Sequence, residues 1–106
     1  MGYSFKEDCP DIRNTRVNDI VTFLGEFGAN VDIYDPIIIS DEVIEQYGYK
    51  PLSRIEKDRY DAIIIAVAHS VFKKMTIEEV RQYGKNNHVV FDVKNIFDKS
   101  KTDIRL

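Results

Sequence analysis

The residues best suited to chemistry lie in a polar loop near the start of the chain. Residues 6–15 read KEDCPDIRNT and lead directly into a helical pattern, so Lys6 and Arg13 stand close to a helix start. The first turn of a helix presents unpaired N–H groups and partial positive charge, to which these two side chains add full charges. An arginine can also bind two phosphate oxygens at once. The sequence therefore predicts a phosphate or pyrophosphate ligand at this loop.

The other reactive side chains do not form a recognisable catalytic or metal site. Cys9 is the only cysteine, and the sequence shows no dedicated base for it, which nucleophilic catalysis requires. One cysteine and two widely spaced histidines give no metal-ligand spacing. His69 follows an apolar strand, where it could face a ligand or hold a loop through a structural hydrogen bond. We therefore predict no catalytic residue and no metal ligand in this chain.

Apolar periodicity and turn residues predict an alternation of strands and helices. Apolar residues recur at helical spacing over 15–27, with Asn14 or Thr15 as the N-cap. Gly28 stands just past the end of this helix, where a positive φ is common. Further helices are predicted over 41–47 and from the capping-box residues 76–79 to Gly84, and strands over 1–5, 30–34, 62–68 and 88–91. This order predicts an α/β fold, a three-layer α/β/α sandwich with a Rossmann-like, mostly parallel sheet.

The edge of the sheet at the carboxyl ends of its strands is the expected binding site, because parallel α/β sheets bind ligands there. The predicted elements bring four segments to this edge, namely 5–14, 34–36, 68–70 and 92–95. The first strand is too short for a central strand of such a sheet. We therefore expect it to be truncated and the chain to begin inside a larger protein.

Composition and missing motifs exclude several classes of function. The net charge is −3, whereas a nucleic-acid binder usually carries a basic face. The longest apolar stretch, 62–68, is far shorter than the roughly 20 residues that span a bilayer. Neither GxGxxG nor GxxxxGK(S/T) occurs, so the chain is not expected to cradle NAD or ATP in the usual way. With no signal-peptide pattern and no possible internal disulfide, we expect a cytoplasmic protein that contacts neither nucleic acid nor membrane.

The loop and its flanks resemble a known family. Residues 2–15, GYSFKEDCPDIRNT, are similar to the signature that opens the C-terminal domain of the UDP-glucose/GDP-mannose dehydrogenase family. Four further segments follow in that family's order: YDP at 34–36, YDA at 60–62, AVAH at 66–69 and DVK at 92–94. Two stretches, Asn14-Thr15 and AVAH at 66–69, resemble the UDP-N-acetylhexosamine 6-dehydrogenase branch of polysaccharide biosynthesis within this family.

The resemblance implies an oxidoreductase. Enzymes of this family oxidise the sugar C6 alcohol to a carboxylate in two NAD-dependent steps through a cysteine-bound intermediate. Their N-terminal Rossmann domain binds NAD, their central helical domain carries the dimer contact, and their C-terminal domain contacts the UDP part of the substrate. Residues 1–106 would then be a single C-terminal nucleotide-sugar-binding domain without the catalytic domains, inactive alone, from a protein that forms a homodimer or a higher oligomer.

The same resemblance implies roles for individual residues. Phe5 and Lys6 match substrate-contacting positions, and Arg13 matches an arginine that reaches the NAD pyrophosphate across the interdomain cleft. Lys94 lies at or one residue from a basic position that contacts substrate, which leaves Asn95 as the alternative. Asp11 is expected to order the loop, by accepting backbone N–H bonds or by pairing with Arg13.

Two other functions are compatible with parts of the sequence. A receiver-like signalling module needs an acidic pair after its first strand, which Glu7 and Asp8 imitate, and an aspartate at the end of its third strand. The apolar strand instead ends in Ala68 and His69. The second alternative is a stand-alone UDP-binding module, against which the shortened first strand argues. As the leading hypothesis, we expect a domain that binds UDP-N-acetylglucosamine or its galacto epimer as part of a dehydrogenase.

Overall fold

The computed structural model describes residues 1–105, which form an α/β domain around a parallel sheet. The sheet has the strand order β1-β2-β3, and both pairs of neighbours are parallel. Its strands are β1 (Tyr60–Ile65), β2 (Gly84–Asp92) and β3 (Ile104–Arg105). Ala62 pairs with Val89, and this register continues to Ile65 with Asp92. The predicted fold class is therefore confirmed.

The predicted helices are present, but most are shorter than the patterns suggested. The helices are α1 (Val17–Glu26), α2 (Ser40–Tyr47), α3 (Ser70–Lys73) and α4 (Ile77–Arg81), and a 3-10 turn covers Lys99–Lys101. The capping box of α4 is confirmed, because Thr76 and Glu79 each accept the other's backbone N–H. Gly28 has a φ of 84°, as expected for a residue just past α1. The short helix α3 was not predicted.

The start of α1 differs from the prediction. Arg16, rather than Asn14 or Thr15, is the residue that flanks the helix. The Thr15 hydroxyl still accepts the Val17 N–H at 3.2 Å, and it donates to the Tyr3 carbonyl at 2.6 Å. The helix therefore starts later because Thr15 is tied back to the beginning of the chain.

Two predicted strands, 1–5 and 30–34, do not form regular β-structure. The backbone of Met1 bonds to Ile64 and Ala66 at 2.6 and 2.9 Å, and the Gly2 N–H donates to the Tyr34 carbonyl at 2.9 Å. These bonds place the first two residues between the end of β1 and residue 34. Beyond Gly2 the ladder stops, because the next N–H groups donate to a side chain instead. The predicted strand 62–68 likewise ends at Ile65.

The core consists of two clusters of buried apolar side chains. One contains Tyr3, Ile12, Val21, Ile33 and Val43. The other lies between one face of the sheet and α4, and contains Ile63, Ile65, Ile77, Val80 and Val90. On the opposite face of β2, the neighbouring Val89 is 39% exposed. Adjacent residues of β2 therefore differ sharply in environment.

This difference gives a matched test of the sheet's orientation. Val90→Ala removes two methyl groups from a fully buried site and should lower the free energy of unfolding by about 2 kcal/mol. Val89→Ala, one residue earlier, should change it by no more than about 0.5 kcal/mol. Urea unfolding of both variants checks the assignment. Equal losses would mean that α4 does not cover the face of the sheet that carries Val90.

Candidate functional site

An open cleft of about 770 Å³ lies beyond the carboxyl ends of β1 and β2. Its walls are formed by residues 4–7, 66–68 and 94–96, by Arg16 and Val17 at the start of α1, and by Lys73 of α3. We call it the anion cleft. It brings together Phe5, Lys6 and Lys94, which the sequence predicted as substrate contacts.

The anion cleft concentrates positive charge on an acidic chain. Lys6, Arg16 and Lys94 are exposed on its walls, and Lys73 forms a salt bridge with Glu7 at 3.0 Å. Among the described residues that line the cleft, Glu7 is the single acid. Four cations facing one carboxylate suit a small anion with more than one charge. Arg16, like Lys6 and Arg13, belongs to the basic cluster near the start of the sequence, whereas nothing in the sequence pointed to Lys73.

Phe5 supplies the cleft with an exposed aromatic ring. The residue is 54% exposed although it is large and apolar. Its backbone N–H donates to the Asp11 carbonyl at 2.7 Å, which closes the loop behind it. A ring held on a closed loop offers an apolar face to a base or a sugar beside the charged groups.

A buried carboxylate holds the segment that carries Phe5 and Lys6. Asp35 accepts the N–H groups of Tyr3 and Ser4 at 2.7 and 3.1 Å through one oxygen. Its other oxygen accepts the Ile37 N–H at 2.9 Å. The predicted segment 34–36 thus does not line the cleft but fixes the loop that does.

His69 is the fourth partner of Asp35. Its Nε2 lies 2.8 Å from the Asp35 carboxylate, and its Nδ1 accepts the Asp8 N–H at 2.9 Å. Because a backbone amide can only donate, Nδ1 carries no proton, and the ring donates from Nε2 to Asp35. The residue is fully buried and does not line the anion cleft. Of the two roles considered for it, the structural hydrogen bond is the one found.

Asp8 joins the same loop to α3. Its carboxylate accepts the N–H and the hydroxyl of Ser70 at 2.8 and 2.5 Å. These two bonds, that of the hydroxyl first, lower the pKa of Asp8. The backbone of Asp8 is left-handed, with a φ of 56°, a conformation that a non-glycine residue adopts at some cost. The loop 4–8 is therefore held at both ends by buried or capping groups.

On the opposite wall of the cleft, a buried aspartate again accepts backbone N–H groups of a loop. Asp92 is fully buried at the end of β2, and its two oxygens accept the N–H groups of Ile96 and Phe97 at 3.1 and 2.9 Å. The turn that these bonds close presents Lys94 to the cleft. A strand-end aspartate thus positions a cation without itself facing the ligand.

Arg13 does not lie in the anion cleft. It forms two bonds to the Asp11 carboxylate, from Nε at 3.0 Å and from Nη2 at 2.9 Å. This pairing lowers the pKa of Asp11 to about 2. Both residues line a separate open cleft with Cys9 and Glu42. The expected pairing of Asp11 with Arg13 is confirmed, and Arg13 lies in a different cleft from Lys6.

Residues 1–99 match the UDP binding domain of the UDP-glucose/GDP-mannose dehydrogenase family. The chain belongs to this family. Over its whole length it is 46% identical to the UDP-N-acetyl-D-glucosamine 6-dehydrogenases of Salmonella typhi and Pseudomonas aeruginosa, of which it covers 25%. It is 33% identical to the UDP-N-acetyl-D-mannosamine dehydrogenase of Methanococcus maripaludis, over 94% of this chain and 23% of that protein. It thus spans about a quarter of the length of the curated relatives it matches.

Membership of this family confirms the resemblance seen in residues 2–15 and argues against the receiver-like alternative. Residues 66–69, which follow β1, read AVAH and include no aspartate to phosphorylate. Within residues 1–105, no group of three or more histidine, cysteine or acidic residues is arranged to hold a metal ion. Of the helices in that range, none has the length and apolar character needed to cross a membrane.

The glycine beside the loop serves packing. Gly2 has a φ of 90°, and a Cβ built there would lie 2.7 Å from the Cβ of Val67. Its conformation and its closeness to Val67 therefore require glycine without any ligand.

Asp8 offers a test of the docked loop through pH. Its lowered pKa means that it stabilises the folded protein above the ordinary aspartate pKa of about 4 and that this contribution is lost as pH falls through the lowered value. Asp8→Asn should therefore lower the thermal midpoint at pH 7, and the difference from wild type should be smaller at an acidic pH below the ordinary aspartate value of about 4.

The control is Asp98→Asn, at an exposed aspartate whose side chain forms no hydrogen bond or salt bridge within the described range. It should leave the midpoint nearly unchanged at both pH values. A constant deficit of Asp8→Asn at all pH values would show that the carboxylate charge is not what holds the loop to Ser70.

Proposed function

We propose that this chain is the C-terminal nucleotide-sugar-binding domain of a longer, NAD-dependent UDP-sugar 6-dehydrogenase. The observation that carries the proposal is the anion cleft, a cationic site at the carboxyl edge of a parallel sheet in a chain of the UDP-glucose/GDP-mannose dehydrogenase family. The identity of 46% to two UDP-N-acetyl-D-glucosamine 6-dehydrogenases supports UDP-N-acetylglucosamine or its galacto epimer as the substrate. The product is the corresponding UDP-uronic acid, used in polysaccharide biosynthesis.

The anion cleft suits the diphosphate of a nucleotide sugar. Lys6 and Lys94 extend from opposite loops, so their ammonium groups are placed to neutralise phosphate oxygens between them. Arg16 adds a guanidinium at the start of α1, where the helix end also favours an anion. Phe5 contributes an apolar surface beside the charges for the uracil or a sugar ring. Asn95, next to Lys94, lines the same wall and can add a polar contact.

The cofactor and the chemistry belong to other parts of the longer protein. NAD would be held mainly by an N-terminal Rossmann domain, where it would supply the oxidation of the sugar C6 alcohol. Arg13 stands 79% exposed on a separate cleft, where it can reach the NAD pyrophosphate from this side. We further propose a cytoplasmic enzyme, a homodimer or a higher oligomer, in which this domain closes on the substrate against the N-terminal and central domains.

The function is tested by assaying the full-length protein. With NAD, it should produce NADH on addition of UDP-N-acetylglucosamine or UDP-N-acetylgalactosamine and not on addition of GDP-mannose. The 106-residue chain alone should form no NADH and should bind UDP only weakly, because a half-site lacks the contacts of the other domains. If the full-length protein oxidises no nucleotide sugar, the proposed function is wrong.

The location of the diphosphate is tested by removing single charges. In the full-length protein, Lys6→Ala and Lys94→Ala should each weaken UDP binding about tenfold, because a hydrogen bond to a charged group contributes about 1.5 kcal/mol or more. Lys50→Ala, at an exposed lysine outside the anion cleft, is the matched control and should bind UDP like wild type. Titration calorimetry at fixed salt measures all three. Equal affinities would place the diphosphate elsewhere.

A further inference from the structure

We infer that His69 is a positioning residue for the nucleotide sugar, acting through the loop 4–8 and never touching the ligand. The inference rests on the proposed function, which assigns Phe5 and Lys6 to the substrate. In this role the neutral imidazole, unprotonated at Nδ1, fixes the loop in the conformation that presents Lys6 to the anion cleft. Its loss should weaken substrate binding and leave the chemical step intact.

The first step of the argument is that the ring joins two elements that no regular secondary structure connects. Nε2 lies 2.8 Å from the Asp35 carboxylate and 3.3 Å from the Ser4 hydroxyl, and Nδ1 accepts the Asp8 N–H at 2.9 Å. The ring is fully buried and packs beside Phe72, with 5.4 Å between ring centroids. Since none of its surface reaches the cleft, any effect on the ligand must pass through the loop.

The second step is that Lys6 lies between the two points that the ring holds. Ser4 donates its hydroxyl to the Lys6 carbonyl at 2.9 Å, which ties the backbone of Lys6 to the buried end of the loop. On the other side, Asp8 is held in its left-handed conformation, with its N–H aimed at Nδ1. A strained backbone persists only where its surroundings enforce it, so without the Nδ1 acceptor the loop should relax.

The third step is that one ring nitrogen accepts a hydrogen bond and the other donates one, so that different substitutions can remove one bond and keep the other. The amide oxygen of asparagine can take the place of Nδ1 and accept the Asp8 N–H, whereas its side chain is too short to reach Asp35. The amide nitrogen of glutamine can take the place of Nε2 and donate to Asp35, but glutamine leaves the Asp8 N–H without its acceptor. His69→Asn thus keeps the bond to the loop, and His69→Gln keeps the bond to the core.

The experiment compares both variants in the full-length enzyme. His69→Gln should raise KM for the UDP-sugar about tenfold with kcat within about twofold of wild type, because the loop contacts substrate and transition state alike. His69→Asn should keep KM within about threefold of wild type but lower the thermal midpoint, since the buried Asp35 loses a partner. A merely structural role would not produce this exchange of effects between KM and stability.

A second measurement does not depend on activity. Hydrogen–deuterium exchange of the peptide that covers the loop 4–8 should be faster in His69→Gln and close to wild type in His69→Asn. Equal KM values for the two variants, or equal exchange of the loop, would overturn the role of Nδ1. If the wild-type enzyme oxidises no nucleotide sugar, the proposed function is wrong. The hydrogen–deuterium exchange rates still decide whether His69 holds the loop 4–8.

Discussion

The carboxylate of Asp35 is buried, and the hydrogen bonds that it needs determine the arrangement of the chain around the cleft. A buried carboxylate is tolerated only when its oxygens are fully hydrogen-bonded. Asp35 meets this requirement with the N–H groups of Tyr3, Ser4 and Ile37 and with His69. Those four partners come from three separate stretches of chain. The need to satisfy one charge therefore draws the beginning of the chain, the turn after residue 34 and the end of β1 to a single point.

Asp92 shows that the same solution is used on the other side of the cleft. There the partners are the N–H groups of Ile96 and Phe97, and the turn they close carries Lys94. In both places a buried acid at the end of an extended segment binds backbone groups of a loop, while the cations of that loop point outwards. Because these backbone bonds hold the loops, Lys6 and Lys94 are not needed for that purpose and remain exposed on the cleft walls.

Local patterns predicted some of this structure well. The predictions that failed concern features that depend on residues distant in sequence. The apolar spacing of α1, the glycine at 28 and the capping box at Thr76 depend on neighbours in sequence, and all are found. The strands predicted over 1–5 and 30–34 depend on a ladder that side-chain acceptors interrupt, which no periodicity reveals. The pairing of Arg13 with Asp11, two residues away, was predicted from the sequence and is found. Lys73 could not be predicted as a cleft residue, because the short helix α3 that carries it was not predicted.

Separation between buried anchors and exposed lining residues has an evolutionary consequence. Substitutions at Phe5, Lys6 or Lys94 alter what the cleft contacts while leaving the bonds to Asp35 and Asp92 in place. Exposed positions of this kind usually change stability little. The residues of these walls can therefore change during evolution with little effect on the fold, whereas a substitution at either aspartate removes the hydrogen bonds that hold both loops.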